Sequence, residues 1–332
     1  MSALAVPWGI AFILSLILTL LCRRLALRLG LIDRPAARKA HRRPTPLLGG
    51  LAMLLAIMGG AWILRLPLDW TLPLAAIAAV GFWDDRFGLS VRFKLAAQIL
   101  IAAWGVLQLG GLALPLPAYL AWTLTVLWIV GLTNAVNLLD NVDGAAALST
   151  AWSALFLAVL ASGAGATDVA ALAVVLSGAC GGFLVFNWPP ASIFMGDGGS
   201  LPLGLGLATL AVGVQQALER STGPWTAFGV LVLCLCLPIF DTALVVVSRL
   251  RRGLNPLTAP GKDHSTHRLL RLGLSRRGLL LVLSAVQWSA AGIALCLVEA
   301  SSSPSLVLGV LTAVSLSAIG LLFFFERQEL KE

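Results

Sequence analysis

Long apolar runs alternate with short polar segments along the whole chain. A helix needs about 20 apolar residues to cross the ~30 Å hydrocarbon core of a membrane, and most of these runs have that length. The pattern therefore predicts an all-α polytopic membrane protein with about eleven transmembrane helices. The eleven runs cover residues 4–22, 47–65, 70–83, 95–112, 116–136, 145–162, 167–186, 200–217, 224–247, 278–298 and 304–325.

The composition agrees with a membrane location. Hydrophobic residues make up 59% of the 332 positions and charged residues only 11%, so lipid rather than water must face most of the surface. Soluble domains carry roughly 25% charged residues. A net charge of +8 would suggest nucleic acid as the partner of a soluble protein. In this chain the positive charge has another explanation, and no nucleic-acid partner is expected.

The basic residues set the predicted orientation. Of the 23 lysines and arginines, all but Arg65 and Arg220 lie in alternate loops or in the C-terminal tail. Positive loops stay in the cytoplasm, so the N-terminus is predicted outside and the C-terminus inside. Residues 1–332 form a single predicted transmembrane domain, because no loop is long enough to fold alone. The predicted cytoplasmic loops are 23–46, 84–94, 137–144, 187–199 and 248–277.

Acidic residues gather at the ends of apolar runs on this cytoplasmic side. Asp84 and Asp85 are adjacent and follow the third run. Two neighbouring carboxylates repel each other unless a cation or a metal-bound phosphate neutralises them. An acid pair at a helix end, with Arg86 as its partner, is the structural alternative.

A second polar cluster ends the fifth run. Asn134, Asn137 and Asn141 recur at helical spacing, and Asp140 lies beside them. Such a polar stripe on a membrane helix does not face lipid, so we expect it to line a polar cavity. Asp143 follows in the same loop, directly before Gly144.

The segment between the seventh and eighth runs contains two prolines and then Asp197 among glycines. Glycines let the backbone amides approach a ligand, and an acid in such a turn before a helix suits a magnesium–phosphate site. An ordinary tight turn is the alternative. Asp241, inside the ninth run, is expected to have a structural or supporting role.

Two further segments carry basic and imidazole groups. His264 and His267 lie three residues apart between Asp263 and Arg268, and this arrangement favours anion binding over a zinc site. The segment 39–50 combines basic residues with Thr-Pro and Gly-Gly pairs, which is typical of a shaped loop. Simple anchoring to acidic lipid head groups is the other interpretation of its charges.

Five segments together resemble the polyprenyl-phosphate N-acetylhexosamine-1-phosphate transferase family, also called glycosyltransferase family 4. The resemblance covers the chain from Asp33 to Leu274, in the same order and on the same loops. It implies transfer of a sugar-1-phosphate from a UDP-N-acetylhexosamine, such as UDP-GlcNAc, to undecaprenyl phosphate, with release of UMP. The segments are 39–50, 84–85, 137–144, 187–200 and 263–274.

The resemblance also implies roles for individual residues. Mg²⁺, with Mn²⁺ as a substitute, is expected on Asp197 and Asn137. Phe194 is expected to stack on uracil. The implied catalytic residues are Asp84, Asp85, Asp140 and Asp197; the implied substrate-binding residues are Lys39, His41, Thr45, Asn137, Asn141, Asp143, Asn187, Phe194, His264, His267 and Arg268.

The implied location is the inner membrane, with the active site on its cytoplasmic face. A direct displacement and a route through a covalent aspartyl intermediate are both open, and so is assembly as a homodimer.

Two departures from the family pattern bear on the donor. Many relatives carry a denser histidine cluster in the last loop, where this chain has Thr266 between His264 and His267. The stretch from Asn141 to Asp143 replaces a commoner Gly-Leu-Asp. Both departures disfavour the branch that uses a pentapeptide-linked sugar.

Three other classes of membrane protein fit the sequence less well. A membrane prenyltransferase needs a third aspartate after the Asp84–Asp85 pair, and a CDP-alcohol phosphotransferase needs an arginine after Asp143; both residues are absent. A secondary transporter places its polar groups near the membrane midplane, whereas here they crowd to one face.

Overall fold

A computed structural model describes residues 2–33, 44–259, 261–300 and 304–329, and confirms the all-α membrane fold. This part of the chain contains thirteen α-helices and two strands of two residues each. The helices are α1 Ser2–Leu29, α2 Gly49–Ile63, α3 Thr71–Phe87, α4 Val91–Leu109, α5 Ala118–Leu139, α6 Ala145–Gly163, α7 Thr167–Asn187, α8 Asp197–Thr222, α9 Pro224–Cys234, α10 Cys236–Arg251, α11 Ser265–Arg271, α12 Arg276–Glu299 and α13 Pro304–Glu329.

Each of the eleven predicted runs corresponds to one helix or to a helix pair. Within the described residues eight helices, α1, α4–α8, α12 and α13, are long and apolar enough to cross a membrane. Helix α2 has 15 residues and α3 has 17, which correspond to about 22 and 26 Å of rise. The number of spans and the orientation of the termini stay predictions.

The ninth run, 224–247, is predicted as one span, but the structure divides it into two helices at an angle. Helices α9 and α10 meet at 80° around Leu235. The cause lies in Pro238, which has no N–H to donate to the carbonyl of Cys234 four residues earlier. The side-chain amide of Gln287 on α12 donates to that carbonyl instead, at 2.6 Å. The bend is therefore braced by a neighbouring helix.

Helix α8 lies at the centre of the fold. In its most apolar stretch 83% of the residues are buried, compared with 6% in α13 at the periphery. Helices α2, α3, α5, α6, α7 and α9 all pack against α8. The N-terminus of α8, which carries Asp197, is therefore surrounded by the ends of several other helices.

Backbone pairing closes the same end of the bundle. Strand β1 (Ile32–Asp33) pairs antiparallel with β2 (Thr45–Pro46). The backbone N–H of Phe194 donates to the carbonyl of Pro46 at 2.9 Å, and that of Gly49 donates to the carbonyl of Phe194 at 2.9 Å. These bonds fix the segment before α8 against the start of α2.

Candidate active site

The acid pair at the end of α3 meets the N-terminus of α8. The carboxylate of Asp85 accepts hydrogen bonds from the backbone N–H of Asp197 at 2.9 Å and of Gly198 at 3.0 Å. The first N–H groups of a helix have no partner within the helix, and its N-terminus favours negative charge. Asp85 therefore caps α8 from another helix. The structure places Asp84 and Asp85 inside α3, although their loop was predicted to begin at residue 84.

Two glycines, which have no side chain, allow α3 to approach α8 this closely. A Cβ atom on Gly81 would lie 2.3 Å from the backbone oxygen of Asp197, and one on Gly198 would lie 2.2 Å from the Phe82 ring. The first clash is with backbone and could be relieved only by movement of the helices, whereas the second would require the Phe82 ring to move. The two glycines therefore determine how closely the carboxylates can assemble.

We expect Gly81→Ala to lower thermal stability, because the obstructing atom is backbone that cannot rotate away. Overpacking typically costs about 1–3 kcal/mol, so a fall of several degrees in the melting temperature is expected. Gly131→Ala on α5 is the matched control, since its Cβ would meet nothing within 4 Å. Equal melting temperatures of the two purified variants would contradict this explanation.

Lys94 of α4 joins two of the predicted catalytic carboxylates. Its ammonium group forms an ion pair with Asp84 at 2.8 Å and a second one with Asp197. The other oxygen of Asp197 accepts a hydrogen bond from the Asn137 amide at 2.8 Å, and Asn137 also donates to Ser200 at 2.8 Å. Helices α3, α4, α5 and α8 thus all contribute to one polar cluster.

The three asparagines of the predicted stripe make three different contacts, and only Asn134 and Asn137 lie on α5, because the helix ends at Leu139 before Asn141. Asn134 exchanges hydrogen bonds with the amide of the buried Gln98 on α4, at 2.5 and 3.3 Å. Asn137 binds Asp197, and Asn141 accepts a hydrogen bond from Thr266 at 2.5 Å. Only Asn141 of the three lines the cavity described next, so most of the stripe connects helices instead of facing a cavity.

A cavity of about 460 Å³ opens beside this cluster. Its wall brings together the loop after α5, the segment before α8 and the loop before α11, which are far apart in sequence. The lining residues are Asp33, Leu47, Asp85, Asp140, Asn141, Val142, Asp143, Asn187, Phe194, Gly196, Gly261, Lys262, His264 and His267. Eight of the predicted site residues are among them, all at one end of the bundle.

Asp140 lies close to three other carboxylates at the cavity. Burial, and then the negative charges of Asp197, Asp85 and Asp143, raise the pKa of its carboxyl well above the ordinary value. Among the described residues, none donates a hydrogen bond to this carboxylate. A bound divalent cation would relieve this repulsion, and carboxylate oxygens are the ligands that Mg²⁺ prefers.

The predicted magnesium ligand Asp197 has more protein partners than its place in a glycine-rich turn suggests. Asp197 is the first residue of α8, not a loop residue, and both of its oxygens already have N–H partners. Within the described residues, no three His, Cys, Asp or Glu side chains converge as a ready-made metal site. The surplus of carboxylate oxygens over cations nevertheless fits a divalent ion in chemistry and charge.

Asp143 and Asn187 support the wall beneath the cavity. Asp143 accepts a hydrogen bond from Arg276 at 3.0 Å and one from the backbone N–H of Ala191 at 3.1 Å. The buried Asn187 amide accepts from the N–H of Gly144 and donates to the carbonyl of Ile193. The Asn187 side chain therefore binds two backbone segments and holds them in place at the cavity.

The last loop contributes two histidines but not its arginine. His264 and His267 line the cavity, with ring centroids 6.0 Å apart. Burial, and then the nearby charges of His264 and Lys262, lower the pKa of His267 to about 4, so its ring is neutral at pH 7. The guanidinium of Arg268 is turned away, where it donates to the Asp263 carbonyl and the Ser248 hydroxyl. Arg268 is therefore not among the residues that line the cavity, and its contact with substrate stays a prediction.

The remaining predicted residues divide into two groups. Phe194 lines the cavity, and its ring is half-buried. Thr45 is buried in β2, where it pairs with Asp33, and does not line the cavity. Lys39 and His41 lie outside the described residues.

Sequence reasoning missed Lys94 and Lys262 as site residues. Both were counted only as positive charges that orient the loops. A usable signal existed for Lys94, because Ser90 caps α4 and places Lys94 and Gln98 one turn apart on a face with two polar groups. Lys262 lies in an irregular loop, so no periodic pattern could have placed it at the cavity.

The fold and the site define a class of polytopic membrane protein with a carboxylate-lined cavity at one end of its helical bundle. Residues 68–215 match the family model described as glycosyl transferase family 4. The chain is 35% identical over 296 residues to a probable undecaprenyl-phosphate N-acetylglucosaminyl 1-phosphate transferase of Bacillus subtilis, covering 82% of this chain and 80% of the relative.

Two other relatives extend the comparison. A decaprenyl-phosphate N-acetylglucosaminephosphotransferase of Mycolicibacterium smegmatis is 34% identical, with 89% of this chain and 82% of the relative covered. A phospho-N-acetylmuramoyl-pentapeptide-transferase of Heliobacterium modesticaldum is 40% identical over 218 residues, with 56% and 66% covered. The chain belongs to the family of polyprenyl-phosphate N-acetylhexosamine-1-phosphate transferases, as the five segments predicted.

Proposed function

We propose that this protein transfers N-acetylglucosamine-1-phosphate, or another N-acetylhexosamine-1-phosphate, from a UDP-sugar to undecaprenyl phosphate and releases UMP. The observation that carries the proposal is the convergence of Asp84, Asp85, Asp140 and Asp197 at one end of an apolar bundle, where Lys94 pairs with Asp84 and Asp197. The long matches to relatives that act on undecaprenyl or decaprenyl phosphate support the same reaction.

The position of the site suits two very different substrates. The donor is a soluble, highly anionic nucleotide, whereas the acceptor phosphate is attached to a lipid and stays at the membrane surface. A polar cavity at the helix ends can meet both, and Lys262 at its wall would attract the nucleotide. We place this end on the cytoplasmic face of the inner membrane, because the basic loops predict that orientation. A reporter fused after Gly165 that read cytoplasmic would contradict this placement.

Different side chains of the cavity would contact different parts of the UDP-sugar donor. Phe194 offers an aromatic face for uracil, and Asn141 and Asp143 offer hydrogen-bonding groups for the nucleoside. His264 and His267 would face the sugar or the diphosphate. Because the Asp143 carboxylate is already fixed by Arg276 and the Ala191 amide, its orientation is set before the donor arrives.

We propose Mg²⁺ as the cofactor, held by Asp197 with Asn137 or Asp140 beside it. When bound, the ion supplies charge stabilisation for the diphosphate and for the attacking phosphate. The crowding of the Asp140 carboxylate by those of Asp197, Asp85 and Asp143 is the observation that favours a cation here. Asn137 would present its amide oxygen to the ion only after its amide turns, because its nitrogen now donates to Asp197.

The acid pair favours direct displacement over a covalent aspartyl intermediate. Asp84 accepts from Lys94 and from the backbone N–H of Leu89 at 2.6 Å, while both oxygens of Asp85 bind the amides of α8. Carboxylates so engaged are poor nucleophiles. The acceptor phosphate, with a second pKa near 6, is mostly dianionic at pH 7 and can attack without a strong base. Exchange of labelled UMP into UDP-sugar without acceptor would contradict direct displacement.

The test of the function is release of UMP by purified protein. A panel of UDP-GlcNAc, UDP-GalNAc, UDP-glucose and the UDP-MurNAc pentapeptide would be assayed with and without undecaprenyl phosphate. We expect release that requires both the lipid and a UDP-N-acetylhexosamine, with least activity for the pentapeptide donor. A prenyltransferase would release inorganic diphosphate instead, and a transporter would leave the nucleotide intact. Absence of UMP with every donor would overturn the proposal.

A further inference from the structure

Asp241 is a buried acid that the proposed reaction does not yet use. It lies on α10 and is fully buried, 23 residues before the histidine that it contacts. A carboxylate in such a place is costly unless each of its oxygens is satisfied. Both oxygens are satisfied here, and all their partners belong to the segment that carries the cavity histidines.

The contacts of Asp241 determine how His264 is held. One oxygen of Asp241 lies 2.8 Å from Nδ1 of the His264 ring. The other accepts from the backbone N–H of Ser265 at 2.7 Å and from its hydroxyl at 2.6 Å. Because a carboxylate accepts hydrogen bonds, the proton of the imidazole must sit on Nδ1. Nε2, on the opposite side of the ring, is the nitrogen left for the cavity that His264 lines.

The two histidines of the cavity therefore have different hydrogen-bond partners. His264 has a buried carboxylate behind it, whereas among the described residues His267 has no such hydrogen-bonded acid. A carboxylate behind an imidazole orients the ring, selects its tautomer and stabilises the imidazolium when Nε2 gains a proton. His264 can therefore offer Nε2 to an anionic oxygen without rearranging.

We propose that Asp241 is a positioning residue for His264, holding the Nδ1–H tautomer so that Nε2 faces the diphosphate of the bound donor. The role of His264 toward the diphosphate rests on the proposed function, but the tautomer does not. The competing explanation is that Asp241 merely ties down the start of α11 through Ser265. The two explanations differ in what happens to the His264 ring when the carboxylate is lost.

The first measurement is spectroscopic. The chain has only three histidines, so long-range ¹H–¹⁵N spectra of protein labelled with ¹⁵N-histidine will be simple, and His264→Gln identifies the signals of His264. In the wild type, His264 should carry its proton on Nδ1. In Asp241→Asn this preference should be lost, whereas Ser265→Ala, which removes only the hydroxyl contact, should retain it. A wild-type His264 protonated only on Nε2 would overturn the proposal, even if Asp241→Asn failed to fold.

The second measurement is kinetic and uses a double-mutant cycle. A positioned acid–base or hydrogen-bonding group typically contributes 10²–10⁴-fold to rate, so we expect Asp241→Asn to lower kcat/KM for UMP release by about 10²-fold. Combined with His264→Gln, it should cost little more than His264→Gln alone, because Asp241 acts through that ring. Multiplied losses in the double variant would show independent roles and overturn the proposal. Failure of the wild type to release UMP would reject the proposed function, but would leave the spectroscopic test intact.

Discussion

Asp197→Asn is expected to lower the rate of UMP release by roughly 10³-fold while the protein stays folded. The substitution keeps the size of the side chain and its hydrogen bond with Asn137, but removes the charge that pairs with Lys94. Charge stabilisation by a metal is worth several kcal/mol in a transition state, and about 1.4 kcal/mol corresponds to tenfold in rate. Raising the Mg²⁺ concentration should restore part of the activity, if weakened cation binding is the cause.

The control for this variant is Asp168→Asn, because Asp168 is an aspartate in the first turn of α7 at the opposite end of the bundle. Both variants would be purified in detergent, checked for a single monodisperse species and assayed with UDP-GlcNAc and undecaprenyl phosphate. Near-normal turnover by a well-folded Asp197→Asn protein would reject the assignment. The cation would then have to be sought at Asp140.

The apolar runs and the charged loops predicted most of the fold, because membrane helices must bury or cover every backbone polar group and leave long hydrophobic stretches. The bend in the ninth run was not predicted. Pro238 was visible in the sequence, but Pro7 and Pro202 lie inside the continuous helices α1 and α8, so a proline alone did not mark the break. The partner that stabilises the bend, Gln287, lies 53 residues from the freed carbonyl of Cys234.

In the candidate site, too, local features were predictable from the sequence and contacts between distant residues were not. The residue types and segments could be predicted, since acids and asparagines at the ends of apolar runs are costly without a function. Pairings across helices could not, because spacing along one helix says nothing about its neighbour. Thus the partners of Asn134 and Asn137, and the inward burial of Arg268, emerge only from the packing of α4, α8 and α10.

Lys94 changes the electrostatic interpretation of the site. The sequence predicts four catalytic aspartates with a metal on Asp197 and Asn137, and the structure adds an ammonium group between Asp84 and Asp197. Neither pair is freely exposed, since the side chains are 17–26% accessible, so solvent screens them only in part. The ammonium therefore lowers the negative charge that a divalent ion would meet, and it would compete with the proposed ion for Asp197.

Lys94→Met should accordingly lower the rate and raise the apparent affinity for Mg²⁺. We expect kcat to fall by about 10²-fold, because Asp84 and Asp197 lose the cation that holds them together. The Mg²⁺ concentration for half-maximal activity should decrease, since two unit charges 4 Å apart interact by about 4 kcal/mol at an effective dielectric constant of 20. Even a third of that energy would correspond to about a tenfold change in affinity.

Two comparison variants make the Lys94 experiment decisive. Lys94→Arg keeps the positive charge, so its Mg²⁺ dependence should stay close to that of the wild type even if its geometry lowers kcat. Arg92→Met removes an exposed positive charge from the same turn of α4 and should alter neither quantity. Titrating Mg²⁺ against UMP release for all three variants separates these outcomes. If Lys94→Met needed more Mg²⁺ than the wild type, Lys94 would be helping to bind the ion's ligands or the diphosphate, and competition for Asp197 would be excluded.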